Sequence, residues 1–284
     1  CESWREPGVM KDSIAIIVLN WNGRDLTLAC LESLTGLDAE SVHILVVDNG
    51  STDDSVAHIS EQYPDIPLLV LDENLGFSAG NNAGFQKAME LWEPEYCLFL
   101  NNDTVVDSNF INPLRRALAK RKKVMVVPKI YYHNEKDILW YAGGFVNLWI
   151  GNVWHQGIRE QDKGQYDREK TVDYATGCCI ALRATEFKRL GGFDTSFAMY
   201  AEDVDLSLRF RDSGGSIYYV PEAKIWHKVS SSVGGAMSPG KIIKRFKGHF
   251  RFLAKHARWY HWPTIICYLP IQIILSVIKY FTLR

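Results

Sequence analysis

Apolar residues in the first hundred positions come in short unbroken runs, each stopping on a polar cluster. Ser13 to Leu19, Val42 to Val47, Pro67 to Leu71 and Tyr96 to Leu100 lack the alternation of a strand with one wet face. They therefore predict strands covered on both sides, as in a parallel sheet. Between them, Arg24 to Leu34 carries Leu28, Leu31 and Leu34 at helical spacing. Thr52 or Asp53 can cap a helix running to about Tyr63, and the Gly/Asn-rich stretch from Asn74 to Gly84 opens a helix to Leu91. Strand and helix alternating through short connections imply a parallel sheet wrapped by helices. Ligands of such sheets bind beyond the carboxyl ends of the strands.

The second half is less regular. A strand near Val124 to Val127 precedes a long excursion from Tyr131 to Tyr174, rich in Trp, Tyr, Gly and charge, which reads as a binding segment. Thr171 to Arg183 can return to the sheet, a helix begins near Glu202, and Ser216 to Val220 is another strand. From Lys241 the pattern is a basic amphipathic helix, with Phe246, Phe250, Leu253 and Ala257 on one face and Lys244, Lys247, Arg251, Lys255 and Arg258 opposite. Trp262 to Ile278 follows without a charge, with Trp259, Tyr260, Trp262 and Tyr280 near its ends like interfacial anchors. The competing reading is a helix packed on the domain, which would normally include some acidic residues.

Composition changes this picture in two ways. The chain has 284 residues and 47% apolar content, enough for a full core without disulfides, and its six cysteines show no CxxC spacing, so a reducing cytoplasmic setting is expected. The net charge of -1 conceals a polarity: eleven basic residues and no acid follow Glu222. Such asymmetry points the tail at an anionic surface, membrane or nucleic acid. The apolar run at 14–19 follows a mixed-charge segment and is too short for a secretory signal.

Chemistry concentrates at the strand ends: Asn20-Trp21-Asn22, Asp48-Asn49-Gly50-Ser51-Thr52-Asp53, Asn74 to Asn82 with Gly76 and Gly80, Asn101-Asn102-Asp103, Gly191 to Asp194, and Glu202-Asp203-Val204-Asp205. In this order and spacing, over about 13–232, the chain resembles a family 2 glycosyltransferase of the GT-A fold, nearest its rhamnosyltransferase-like branch. The resemblance implies an α/β, Rossmann-like, mostly parallel sheet flanked by helices, followed by a basic and apolar helical tail. It divides the chain into an N-terminal extension (1–12), a catalytic domain (13–235, with a nucleotide-sugar half to about 105 and an acceptor half from about 106) and a membrane-associating tail (236–284).

The resemblance also implies roles. Asp48, Asn20 and Asn22 would receive the nucleobase, a turn-forming Asp48 being the competing reading. Gly76, Gly80 and Asn81 would let a ribose or phosphate approach a helix start, with Asn102 near the ribose. Asn101-Asn102-Asp103 takes the place of the family's DxD motif but lacks its first carboxylate. Asp103 would be the principal ligand of Mn²⁺ or Mg²⁺, Asn101 a neutral donor, and His227 a further ligand or a structural histidine. Asp203 would act as general base with Glu202 supporting it, while Asp205 faces the helix start. Thr176 and Gly177 would line the acceptor side, and Trp140, Trp149 and Trp154 stack on sugars or pack in a core.

The expected partners are a nucleotide diphosphate sugar, a glycan or lipid-linked acceptor and an anionic membrane surface, with no nucleic acid. The expected location is the cytoplasmic face of the membrane, held through the tail. dTDP-rhamnose is the expected donor, with UDP-galactose, UDP-galactofuranose and UDP-glucose as alternatives. A nucleotidyltransferase would need a Gly-rich turn with Lys or Arg where Asn20 to Gly23 stand. A nucleic-acid binder would leave the uncharged, proline-containing terminus unexplained.

Overall fold

In the computed structural model, which describes residues 10–37, 41–197, 200–228 and 239–268, each apolar run of the first half becomes a strand. The chain passes through β1 (Met10–Asn20), α1 (Arg24–Thr35), β2 (Val42–Asp48), α2 (Ser55–Gln62), β3 (Leu68–Val70), α3 (Gly76–Trp92) and β4 (Pro94–Asn101). It continues through β5 (Thr104–Val106), α4 (Ile111–Ala119), β6 (Val124–Tyr132), β7 (Leu139–Tyr141), β8 (Gly144–Asn147) and β9 (Asn152–His155). The last elements are β10 (Lys170–Val172), β11 (Cys179–Arg183), α5 (Ala184–Arg189), α6 (Glu202–Asp212), β12 (Ser216–His227) and α7 (Pro239–His256).

The main sheet has the order β10, β12, β6, β11, β4, β1, β2, β3, with β5 paired to β12 and β7 to β6. Its first half is parallel: β1 aligns Asn20 with Asp48 of β2 and Leu19 with Asn101 of β4. The polar ends of these strands therefore lie along one edge. They flank the point where the strand order reverses, the usual ligand crevice of an open α/β sheet. Ile14 to Val18 and Tyr96 to Leu100 are buried on both faces, which is why their sequence shows no alternation.

The sheet is mixed, and the expectation of a mostly parallel one is corrected. β11 lies antiparallel between β4 and β6, and β10, β5 and β7 also pair antiparallel. A strand buried on both faces reads as an apolar run whichever way it points, so Cys179 to Leu182 gave no sign of its direction. The excursion from Tyr131 to Tyr174 is built rather than loose: β7 extends the sheet, and β8 and β9 form a separate two-stranded hairpin.

The tail requires a second correction. Phe252 and Leu253 of α7 have no exposed surface and join Ile265, Tyr174, Phe197, Val204 and Leu208 in a second core cluster. The counter-charges missing from the helix come from Asp194 and Asp205 earlier in the chain. Lys255 Nζ lies 2.6 Å from Asp194 Oδ2 and 2.7 Å from Asp205 Oδ1, and His256 Nε2 lies 2.8 Å from the same Asp205 oxygen. Among the described residues no helix is long and apolar enough to cross a membrane. The membrane-associating tail, and the membrane-face location that rested on it, are withdrawn; the part of the apolar run at 269–278 lies outside the described residues.

Candidate active site

The edge where β1, β2 and β4 end is tied by a buried polar network. Asn20 donates from Nδ2 to Asp48 Oδ2 at 2.7 Å and to Ser51 Oγ at 3.2 Å, while its Oδ1 accepts from Thr27 Oγ1 at 2.7 Å and from Asn102 Nδ2 at 3.2 Å. Asn102 Nδ2 also donates to Thr27 Oγ1 at 2.9 Å. Asp48 Oδ1 accepts the Ser51 amide at 2.9 Å, and Asp48 has no exposed surface. Asn22, at φ 49, accepts the Thr52 amide on its Oδ1 at 2.7 Å. These side chains shape the turn after β2, since each buried polar atom needs a partner. Thr27, unnoticed in the sequence, is the one buried hydroxyl of α1's core-facing set, and a lone polar residue on an apolar face was its only signal.

The Gly/Asn-rich segment divides in the same way. Asn49 accepts the Leu75 amide at 3.0 Å and donates to Asn74 Oδ1 at 3.1 Å, fixing the entry to α3 beside Gly76 at φ 82. Gly80 faces inward: a Cβ there would lie 2.6 Å from Leu19 Cδ1. Asn81 is buried and donates to the Phe77 carbonyl at 3.0 Å. Two residues that sequence reasoning missed reach the other half of the domain. Asn82 brackets Phe193 through Nδ2 to its carbonyl at 2.8 Å and Oδ1 from its amide at 2.9 Å, and Ser78 Oγ donates to the Phe197 carbonyl at 3.2 Å. This anchors the segment that leads into α6.

Beyond β4, Asp103 is nearly buried and its Oδ1 lies 3.1 Å from His227 Nε2. That oxygen nevertheless has no partner in hydrogen-bonding geometry. His227 sits at the end of β12, registered with Thr104 of β5, and Trp140 packs edge-on against its ring at 4.6 Å. Burial opposes charge on His227 but is outweighed, so the imidazole titrates well above its usual range. The neighbouring Cys178 thiol is pushed up to about 11 by burial and is neutral near pH 7, so Asp103 supplies the favourable charge. Asn101 meets the antiparallel strand through its amide, which donates to the Cys178 carbonyl at 3.0 Å.

Cys178 links this pair to the acids of α6. Its neighbour Gly177 donates its amide to Asp203 Oδ2 at 2.8 Å, and the Val204 amide donates to Asp203 Oδ1 at 2.8 Å. Thr176 is buried one residue further back. Tyr200 and Ala201, both at φ 71, turn the chain sharply into α6, a backbone strain of the kind that gathers at functional sites. Burial raises Asp203 above its ordinary value, with the two amides opposing the shift. Glu202 is raised to about 8 by burial and then by the Asp203 charge, and its Oε2 is unpartnered. Because the Asp203 charge raises Glu202, Asp203 is the first of the pair to ionise and Glu202 the one that keeps its proton longer. Asp205 does not serve the helix start as expected; it is clamped by Arg209 Nε at 2.8 Å and by Lys255 and His256 of α7.

The backbone of Gly177 and Cys178 thus connects Asp203 to the Asp103 and His227 pair, with Asn101 bonded to Cys178. Among the described residues there is no group of three or more His, Cys, Asp or Glu side chains that could alone enclose a metal ion.

Comparison with known proteins places this edge in context. The family model described as Glycosyl transferase family 2 matches residues 13–191. The N-acetylglucosaminyl-diphospho-decaprenol L-rhamnosyltransferase of Mycobacterium tuberculosis is 24% identical, covering 89% of this chain and 88% of its own length. Rhamnosyltransferase WbbL of Escherichia coli is also 24% identical, over 85% of this chain and 93% of its own. A crystal structure of GalNAc-T7 with UDP, GalNAc and Mn²⁺ superimposes with a TM-score of 0.69 at 16% identity, covering 85% of this chain and 47% of that one. That likeness is one of fold.

Proposed function

The chain belongs to glycosyl transferase family 2 and is a nucleotide-sugar-dependent glycosyltransferase acting on a glycan or lipid acceptor, and from that premise we propose that it transfers L-rhamnose from dTDP-rhamnose with inversion. The acceptor is a hydroxyl of a glycan or lipid-linked sugar in cell-surface polysaccharide synthesis. The similarity to the two rhamnosyltransferases supports the donor. The observation that carries the chemistry is the bond to the Asp203 carboxylate from the amide of Gly177, the neighbour of the Cys178 that backs the Asp103 and His227 pair.

Asp203 takes the proton of the acceptor hydroxyl as its oxygen attacks the anomeric carbon. The Gly177 and Val204 amides fix both carboxylate oxygens, so little reorientation is needed. Glu202, protonated near neutral pH, can donate to the acceptor or leave Asp203 the sole charge. Asn20, Asn22, Asp48 and Asn102 shape the turn that receives the nucleotide, and Gly76 opens α3 toward it.

The remaining pair fits a divalent cation provided the His227 imidazole gives up the proton it holds without one. Asp103 Oδ1 is buried without a partner in hydrogen-bonding geometry and lies 3.1 Å from His227 Nε2, a carboxylate and imidazole donor set of the kind that holds Mn²⁺. Asp103 and His227 would hold Mn²⁺ or Mg²⁺, with Asn101 as a neutral donor and diphosphate oxygens completing the sphere. Such an ion would neutralise the charge developing on the departing diphosphate. The test offers dTDP-rhamnose, UDP-galactose, UDP-galactofuranose and UDP-glucose with and without EDTA, and reads nucleoside diphosphate release. Cation-dependent turnover of dTDP-rhamnose is expected. Preference for a UDP-sugar would overturn the donor, and activity retained in EDTA would overturn the cation.

A further inference from the structure

We propose that the cleft between the β8–β9 hairpin and the C-terminal end of α6 is a carbohydrate-binding subsite, which holds a sugar of the acceptor remote from the one that reacts. The proposal rests on the glycosyltransferase reading above and extends it along the acceptor.

The segment from Asp173 to Gly177 lies antiparallel along α6, joined by three polar rungs. Gly177 donates to Asp203 Oδ2 at 2.8 Å, Ala175 donates its amide to Ser207 Oγ at 3.1 Å, and Arg211 Nη1 lies 2.9 Å from Asp173 Oδ1. The first rung is the proposed base. The last forms part of the wall of a cavity of about 480 Å³ that Asn147, Trp149, Trp154 and His261 also line. Arg211 follows Asp203 by eight residues, so the cleft begins about 12 Å along the helix from the reacting end. The middle rung, Ala175 to Ser207, has no exposed surface, so the ladder is an internal brace that fixes the cleft relative to the reacting end.

The lining has the chemistry of a sugar site. Trp149 is 54% exposed and Trp154 42% exposed, so each keeps indole surface open at the cleft. Trp154 is held by stacking on Phe145 at 5.7 Å, and Trp149 packs at 4.9 Å edge-on against His261 and at 5.7 Å against Tyr260. Both rings are thus fixed while keeping open surface. An indole face accepts the C–H face of a pyranose, and the Asp173 carboxylate, Arg211 guanidinium and Asn147 amide offer partners for its hydroxyls. Aromatic walls with a few placed polar groups, at this volume, suit a small ligand. Core packing, the alternative for these tryptophans, accounts for neither exposure.

The test uses the full chain and two readouts. An array of immobilised oligosaccharides containing rhamnose, galactose, glucose and N-acetylglucosamine measures binding without any donor. Transfer kinetics then compare an oligosaccharide acceptor with a single-sugar acceptor. Trp154→Ala should weaken array binding and raise KM for the oligosaccharide about tenfold, the loss of one aromatic platform. Its kcat, its KM for the single-sugar acceptor and its thermal midpoint should stay unchanged. Trp154→Phe, which keeps a ring, should restore binding. Equal effects on both acceptors, or none on either, would overturn the subsite, as would an array that binds no oligosaccharide. Failure of the transferase reading would appear separately, as absence of transfer by the wild type to either acceptor.

Discussion

Replacing Asp203 by Asn keeps the size of the side chain and removes its capacity to accept a proton. Both carboxylate oxygens accept backbone amides at 2.8 Å, from Gly177 and from Val204. An Asn side chain has one acceptor oxygen, so its NH₂ must face one of those amides. Leaving that donor unsatisfied costs about 1–3 kcal/mol of stability, a fall of several degrees in the thermal midpoint. Loss of general-base catalysis lowers kcat by about 10² to 10⁴, or roughly 3–5 kcal/mol in the barrier. The residues proposed to receive the nucleotide lie at the other strand ends, so affinity for the nucleoside diphosphate should be unchanged by calorimetry. A kcat within an order of magnitude of wild type, with the variant folded, would refute the role of Asp203.

Other perturbations read different parts of the molecule. The Glu202 carboxyl binds its proton more tightly in the folded chain, so it adds stability at low pH that disappears as pH rises from about 4.5 to about 8. Glu202→Gln should flatten that decline in melts across the window, and parallel profiles for variant and wild type would contradict the assignment. Asp205→Ala leaves Arg209, Lys255 and His256 without their shared buried partner. A loss of about 3 kcal/mol and faster proteolysis within α7 are expected; unchanged protection would show that α7 docks through its apolar contacts alone. Gly192→Ala adds a Cβ at φ 73 that would lie 2.5 Å from Asn82 Oδ1, so it should break the bracket on Phe193 and lower kcat together with stability. His227→Ala should weaken Mn²⁺ binding, measured by electron paramagnetic resonance, by about 10-fold or more; unchanged affinity would remove His227 from the cation.

What the sequence revealed and what it hid follow from range. The ends of β1, β2 and β4 were legible because a doubly buried strand must stop where polar residues begin, and the acids of α6 stood out at a helix start. The direction of β11 was not legible, since Cys179 to Leu182 is apolar on both faces. The tail misled for a related reason: α7 carries only basic charge because its acids, Asp194 and Asp205, lie about sixty and fifty positions earlier in the chain. Ser78 and Asn82 lie within the Gly/Asn-rich segment, but their partners Phe197 and Phe193 are more than a hundred positions away, so that segment does not announce their role. Asp205 reads locally as a helix-start acid, but its partners are Arg209 and, about fifty positions on, Lys255 and His256.

The account stands on Asp203 and the Asp103–His227 pair addressing one sugar carbon from different sides. A crystal structure with Mn²⁺ and a non-hydrolysable nucleotide sugar tests this directly. The account predicts an anomalous manganese peak bonded to Asp103 Oδ1 and His227 Nε2, with the anomeric carbon turned toward Asp203. A donor seated elsewhere, or an anomeric carbon facing away from Asp203, would contradict it.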